Sequence, residues 1–443
     1  MTPNPWAAPR VLRPVDADVT IPGSKSLTNR ELVLSALASG TSTLSGALHA
    51  RDTRLMIDAL RQLGAEIETG ADNWKICKIP RVPGSNPVTI DCGLAGTVMR
   101  FIPAVAALQS RPVRFIADEQ ANARPVKPLY RALRCMGVDF DYEGDAQYPV
   151  TIQGPATVSG SVKLDSSGSS QFLSALLLVA PLLDADSDYV EIELTGSLPS
   201  KPHIEMTIEA LRARGVEVQW TSETSLRVKR GDIAPRDKVI EPDLSNAGPF
   251  LAAAVVTGGR VHVPYWPLKT TQAGDAWQQI LRQMGQEVNL VPLGTEYGTL
   301  CVRGNEITGF EGDMSQVGEL VPTLAAMCVF AATPSKITNI GHLRGHETDR
   351  LSAIATELRK LGVDVDEGED YLRIDPTNGW REKLDGPIEL HSYHDHRMAT
   401  FGAIIGLGVP GILVDDVETV SKTMPDFVER WNQMLAGSLN GQA

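Results

Sequence analysis

At 443 residues the chain is longer than a single hydrophobic core usually supports, so two domains are the starting expectation. Its 42% hydrophobic and 21% charged residues are those of an ordinary globular protein, and a formal net charge of -13 excludes a general binder of nucleic acid or anionic membrane, while leaving room for a local basic cleft. Cys77, Cys92, Cys135, Cys301 and Cys328 are odd in number, scattered and never in a CxxC pair, so neither a disulfide framework nor a zinc site is expected and the compartment is reducing.

The chain opens with Met1–Val15, which holds Pro3, Pro5 and Pro9 and no apolar stretch of a secretory signal. From Gly23 onward two signals alternate. The first is a short polar or glycine-rich segment that opens an apolar helix: Gly23-Ser-Lys-Ser, Cys92-Gly-Leu-Ala-Gly-Thr, Ser166-Ser-Gly-Ser-Ser-Gln, Asp243-Leu-Ser-Asn, Met314-Ser-Gln-Val-Gly-Glu and His394-Asp-His-Arg. After the first of them, Leu27, Leu34 and Ala38 fall on one helical stripe.

The second signal is a helix end of the form x-Leu-Arg-x-x-Gly followed by alternating apolar residues. Its copies carry Leu60, Leu133, Leu211, Leu281 and Leu358, with a degenerate sixth at Val428–Leu435. Glycine ends a helix there because it takes the left-handed position without a Cβ clash. Both series recur at intervals of about 74 residues, which reads as six α/β units. The apolar runs Ala175–Leu183 and Leu324–Ala332 fall short of the roughly 20 residues that span a bilayer and are expected to be buried helices of a cytoplasmic protein. Six similar helix starts are six potential anion sites, through unpaired N–H groups and the helix dipole.

The sharpest of these starts is Pro22-Gly-Ser-Lys-Ser-Leu-Thr-Asn-Arg30, where Lys25, Ser26 and Arg30 offer two cations and a hydroxyl suited to carboxylate or phosphate. It has no Walker frame, and alone it would more often be a solvated cap. Ser169–Ser170 alone would likewise be a cap, and Glu347 and Arg350, three apart on an expected helix, a surface ion pair. Gly406–Gly411 satisfies GxGxxG but lies between a helical run and a strand, the reverse of a dinucleotide site. His342 with His346 and His394 with His396 lack the company of a metal site.

Read together, the segments form an ordered series. PGSKSxxNR, CGLAGTVMR (Cys92–Arg100), ARPVKPL (Ala123–Leu129) and SSQFLSALL (Ser169–Leu177) are followed by SKPHIEMT (Ser200–Thr207), GHETDRLSAIATELRKLG (Gly345–Gly362), YHDHRMA (Tyr393–Ala399) and SKTMPDF (Ser421–Phe427). From end to end this series resembles the 5-enolpyruvylshikimate-3-phosphate synthases among the enolpyruvyl transferases.

The resemblance implies an α/β fold of two domains, each of three βαβαββ-type units, with the ligand site in the interdomain cleft. The domains implied are 1–22 plus 243–443 and, inserted between, 23–242. It implies transfer of the enolpyruvyl group of phosphoenolpyruvate to the 5-hydroxyl of shikimate 3-phosphate through a tetrahedral intermediate, without cofactor or metal, by a monomer. Lys25, Gly96, Arg124 and Lys422 match the grip on the phosphate of phosphoenolpyruvate, with Gln171 nearby, and Arg350 and Arg397 the fork on its carboxylate. Ser26 and Arg30 match the shikimate carboxylate site; Ser169, Ser170, Gln171 and Ser200 match the 3-phosphate site, and Lys25, Glu319 and His346 also border this substrate. Glu319 matches the base for the 5-hydroxyl, Glu347 the group exchanging protons at C3, and Lys25 an additional acid.

Some positions depart from the family pattern. Leu94 stands for Asn, His346 for Lys, His203 for Tyr, Glu319 for Asp and Phe101 for Pro. Gly96 leaves room for the family inhibitor glyphosate. The sister family that uses UDP-N-acetylglucosamine carries Gly-Ala-Lys-Asn and a reactive Cys, whereas the loop Asp118–Lys127 here has Arg124 and no Cys. A non-catalytic ligand-binding relative, suggested by Leu94 and His346, is the other alternative.

Overall fold

The computed structural model describes residues 5–79 and 86–439. Pro3, in the segment expected to hold no signal, lies outside the described residues. The chain divides into an inserted unit, Gly23–Ile240, and a discontinuous unit, Met1–Pro22 with Glu241–Ala443, each with its own apolar core.

Among the described residues the inserted unit has the α-helices α1 (Lys25–Leu37), α2 (Arg51–Gln62), α3 (Gly96–Ala106), α4 (Lys127–Cys135), α5 (Gln171–Val179) and α6 (Lys201–Arg212). Its middle repeat shows the plan. Strand Val88–Asp91 runs parallel to Val113–Ile116 across α3, and a hairpin, Asp139–Tyr142 and Val150–Gln153, completes the sheet with its second strand innermost. The third repeat copies this order with Ser161–Asp165, Tyr189–Thr195, Val218–Ser222 and Ser225–Lys229. In the first repeat the outer parallel strand comes from the far end of the unit, Lys238–Val239 beside Leu44–Ser45. Ile240 N then donates to Ser45 O at 2.8 Å, so the inserted unit ends at Ile240 rather than at residue 242.

Helices α1, α3 and α5 pack on one another. The single stripe expected for α1 is not what forms. Leu27 through Ala36 are all buried, because α2, α3, α5 and α6 all pack against α1.

The x-Leu-Arg-x-x-Gly motif ends the second helix of the first five repeats, and its glycine is left-handed, as at Gly64 (φ 106°) and Gly137 (φ 83°). Its arginine has a role the motif alone does not reveal. Arg61 donates to Ile67 O, Arg212 to Val218 O, Arg282 to Val288 O and Arg359 to Val365 O, at 2.6 to 3.0 Å through Nη2. Each clips a helix C-terminus, where the dipole favours a cation, to the strand that follows. Arg134 instead lies over the rings of Phe140 and Tyr142 at 5.0 and 5.3 Å.

The discontinuous unit contains α7 (Leu244–Thr257), α8 (Trp277–Gln283), α9 (Val321–Cys328), α10 (Arg350–Lys360), α11 (His396–Gly408) and α12 (Phe427–Leu439). Its first sheet takes its outer parallel strand, Asp16–Asp18, from the N-terminal segment, beside Arg260–Pro267. The second is built from Glu311–Asp313, Ser335–Thr338, Leu372–Asp375 and Asp364–Glu367. The sixth repeat, degenerate in sequence, is shortened in structure as well: among the described residues it has no closing hairpin after α12. Strand Trp6–Ala7 pairs antiparallel with Ile412–Val414 in the hairpin's place, and Ile388–Leu390 pairs parallel on the other side.

The two apolar runs are buried helices, α5 and α9, ending at Val179 and Cys328. Gly406–Gly411 leads from α11 into a strand. No helix among the described residues is long and apolar enough to cross a membrane.

Candidate active site

In the discontinuous unit the starts of α10 and α11 meet around buried charges. Asp349 caps α10 by accepting from Ser352 N at 3.1 Å, so Glu347 lies before the helix and not on it as expected. Its carboxylate accepts from Lys422 Nζ and, at 3.2 Å, from Arg350 Nη2. Arg350 is 2% exposed and forks onto Asp395, Nε to Oδ2 at 2.7 Å and Nη2 to Oδ1 at 3.2 Å. Asp395, wholly buried, also accepts from Arg397 N at 2.8 Å and so caps α11.

Burial pushes the Glu347 carboxyl upward, but Lys422, His396 and Arg350 hold it well below the usual carboxylate range. Burial drives the His396 imidazole down to about 3, so this ring is neutral at neutral pH and Lys422 and Arg350 are the cations that matter. His396 Nδ1 lies 3.2 Å from Glu347 and 3.6 Å from Asp395 but is directed at neither well enough for a hydrogen bond.

Arg397 has no counterpart to the fork of Arg350: among the described residues its guanidinium makes no hydrogen bond, and burial and repulsion from Arg350 lower its pKa. A cation held this way beside another cation favours an incoming anion. Glu319, in the turn Gly318–Leu320, acts electrostatically on Arg350, Arg397 and His342. His346 Nδ1 is 3.4 Å from Arg350 Nη1. Glu347, Asp395 and His396 could present ligand atoms within 4.8 Å of one another. Lys422 and Arg350 already neutralise both carboxylates, so the set fits an ion-pair network better than a metal.

In the inserted unit, Lys25 begins α1, where Ser24 Oγ accepts from Leu27 N, and its Nζ is 3.2 Å from the buried Asp52. Gly96 begins α3 under two arginines: a Cβ there would lie 2.8 Å from Arg124 Nη2 and 2.9 Å from Arg100 Nη1. Arg124 Nη1 donates to Leu94 O at 2.7 Å. Arg100 Nη1 donates to Gln171 Oε1 at 2.8 Å, which turns the amide nitrogen of Gln171 toward other partners.

Arg30, 1% exposed, donates to Thr207, Ser174, His203 O and Ser26 O and lies 5.3 Å from the Phe101 ring centre. Burial brings its pKa to about 9. Those bonds occupy most of its donors, so Arg30 ties α1 to α5 and α6. Ser169 Oγ accepts from Gln171 N, Ser170 begins α5, and Ser200 begins α6 at φ 53°.

The structure thus groups Glu319, His346, Glu347, Arg350, Arg397 and Lys422 in one unit. It arranges Lys25, Ser26, Arg30, Gly96, Arg124, Ser169, Ser170, Gln171 and Ser200 at helix starts or their flanks in the other. Sequence reasoning gave no role to Asp395, Asp52 or Arg100. Asp395 had a signal, an Asp just before a helix-opening His-Arg pair; Asp52 had none.

The sequence matches the family described as EPSP synthase (3-phosphoshikimate 1-carboxyvinyltransferase) over residues 10–431. It is 48% identical over 440 residues to a 3-phosphoshikimate 1-carboxyvinyltransferase of Kocuria rhizophila, covering 97% of this chain and 96% of that one. Its fold is similar to EPSP synthase from Acinetobacter baumannii, with TM-score 0.78, 23% identity and 98% of both chains covered. It is also similar to the enolpyruvyl transferase NikO from Streptomyces tendae, with TM-score 0.71, 16% identity and 97% of both chains covered.

Proposed function

The chain belongs to the EPSP synthase family, and on that premise we propose that both groups of residues serve its reaction. It transfers the enolpyruvyl group of phosphoenolpyruvate to shikimate 3-phosphate, with loss of phosphate. The observation that carries the site assignment is Glu347, a carboxylate held ionised between Lys422 and Arg350 beside the unforked Arg397.

Arg350 and Arg397 take the carboxylate of phosphoenolpyruvate, and Lys422, Lys25 and Arg124 its phosphate. Gly96 leaves space beside Arg124, and Gln171 presents an amide that Arg100 orients. Ser26, Arg30, Ser169, Ser170, Ser200 and His346 serve shikimate 3-phosphate. Glu319 accepts the proton of the attacking hydroxyl. The addition step needs a proton at C3, and the elimination step takes one away. Ionised Glu347 is ready for the second task. For the first, a phosphate that draws Lys422 toward itself weakens the main attraction holding Glu347 ionised, and the carboxyl pKa rises toward that of an acid. We place the reaction in the cytoplasm, a reading supported by the scatter of the five cysteines.

The test is phosphate release from phosphoenolpyruvate with shikimate 3-phosphate or UDP-N-acetylglucosamine as acceptor, in the wild type and in Glu347→Gln. Release with the shikimate ester alone is expected, slowed about 10²- to 10⁴-fold in the variant. A fully active Glu347→Gln would remove this residue from the chemistry, and turnover with the nucleotide sugar would contradict the acceptor.

A further inference from the structure

The loop between strand Ile388–Leu390 and α11 delivers Asp395, His396 and Arg397, yet two of its residues hold a backbone that L-amino acids avoid. Tyr393 (φ 54°) and His394 (φ 56°) are consecutive and left-handed, a conformation that persists only where the surroundings impose it. A turn alone would be served by glycine. Tyrosine brings a hydroxyl instead.

That hydroxyl donates to Glu357 Oε1 on α10 at 2.5 Å, and His391 N donates to Glu357 Oε2 at 3.1 Å. Glu357 is wholly buried, with Lys360 Nζ 2.7 Å from Oε2. Two turns earlier on the same face of α10, Arg350 holds Asp395 in its fork. The loop is therefore tied to one helix on both sides of its left-handed pair. Asp415 adds a third tie, accepting from Ser392 N at 2.7 Å and facing His391 Nδ1 at 3.0 Å.

We propose that Glu357, acting through the Tyr393 hydroxyl, is a positioning residue that sets where Arg350 and Arg397 present their guanidinium groups to the carboxylate of phosphoenolpyruvate. This rests on the assignment of those two arginines given above. Glu357 and Tyr393 work on the backbone that carries the cations, so their loss is felt in the binding of one substrate.

Tyr393→Phe, Glu357→Gln and Arg397→Lys are compared by steady-state phosphate release, with KM measured for each substrate and a thermal melt for each protein. Loss of one hydrogen bond to a charged group in Tyr393→Phe raises KM for phosphoenolpyruvate about five- to tenfold. KM for shikimate 3-phosphate stays within about twofold, and Glu357→Gln, whose amide nitrogen would face the donors His391 N and Lys360 Nζ in place of an acceptor oxygen, raises KM for phosphoenolpyruvate in the same direction as Tyr393→Phe. An unchanged phosphoenolpyruvate KM in Tyr393→Phe overturns the proposal, as does a rise for both substrates in step with a lower Tm. Arg397→Lys separates the two readings. If it leaves that KM unchanged, the arginine assignment fails; if it raises it while Tyr393→Phe does not, only the tether falls.

Discussion

Replacing Gly96 with alanine adds one methyl group in a crowded place. The new Cβ would stand 2.8 Å from Arg124 Nη2, 3.2 Å from Arg124 Nη1 and 2.9 Å from Arg100 Nη1. Ordinary contact begins near 3.5 Å, so both guanidinium groups must retreat by roughly half an ångström or more. Arg124 Nη1 is 2.7 Å from Leu94 O, and a retreat of that size weakens a bond in which the donor is charged. Such a bond is worth about 1.5–3 kcal/mol, and Arg124 displaced from the place it fixes should raise KM for phosphoenolpyruvate by at most about 10- to 150-fold. Glyphosate, which the family resemblance places beside Gly96, should lose at least as much affinity. Stability should fall by no more than about 2 kcal/mol, because the weakened bond is internal to the protein while alanine, the better helix former by about 1 kcal/mol at a position without a left-handed backbone, offsets part of the loss. Steady-state phosphate release with varied phosphoenolpyruvate and inhibitor, beside a thermal melt, measures all three. A variant with unaltered KM and equal inhibition would refute the reasoning.

Asp395→Asn leaves buried Arg350 with only Glu347, already shared with Lys422, as counter-charge and should cost about 2–3 kcal/mol in a denaturant titration; a loss under about 1 kcal/mol would make the fork dispensable. Acid should destabilise the protein in two stages. His396, with a folded pKa of about 3, binds its proton more readily unfolded, so stability declines as pH falls from its unfolded value near 6.5 toward 3. Glu347, depressed when folded, adds a loss below its unfolded value near 4.3. His396→Asn should flatten the first stage, and an unchanged slope between these values would contradict the buried neutral ring. Arg212→Ala, which removes both bonds to Val218 O at 2.6 and 3.1 Å, should cost about 1–2 kcal/mol by chemical denaturation.

The repeats were legible because their punctuation is chemical. A left-handed glycine such as Gly64 has few substitutes, and the arginine three residues before it has a fixed target in the next strand. The strands borrowed across the chain were not legible. Asp16–Asp18 and Trp6–Ala7 are too short for alternation to show, and their partners begin at Arg260 and Ile412. The expectation of Glu347 on a helix overlooks Asp349, a residue type that favours the cap position. The charged residues of the site were readable as types, but their pairing was not. Which carboxylate Arg350 would fork, and that Lys25 would meet Asp52, depends on distant elements brought together by packing.

The borrowed strands also order events on the ribosome. The inserted unit closes its first sheet with Lys238–Val239, so it can be complete once that stretch has emerged. Trp6–Ala7 must wait for Ile412–Val414, some 400 residues later, or roughly 20–80 s at the usual pace of synthesis. Trp6 and Ala7 are thus among the last residues to reach their native partners.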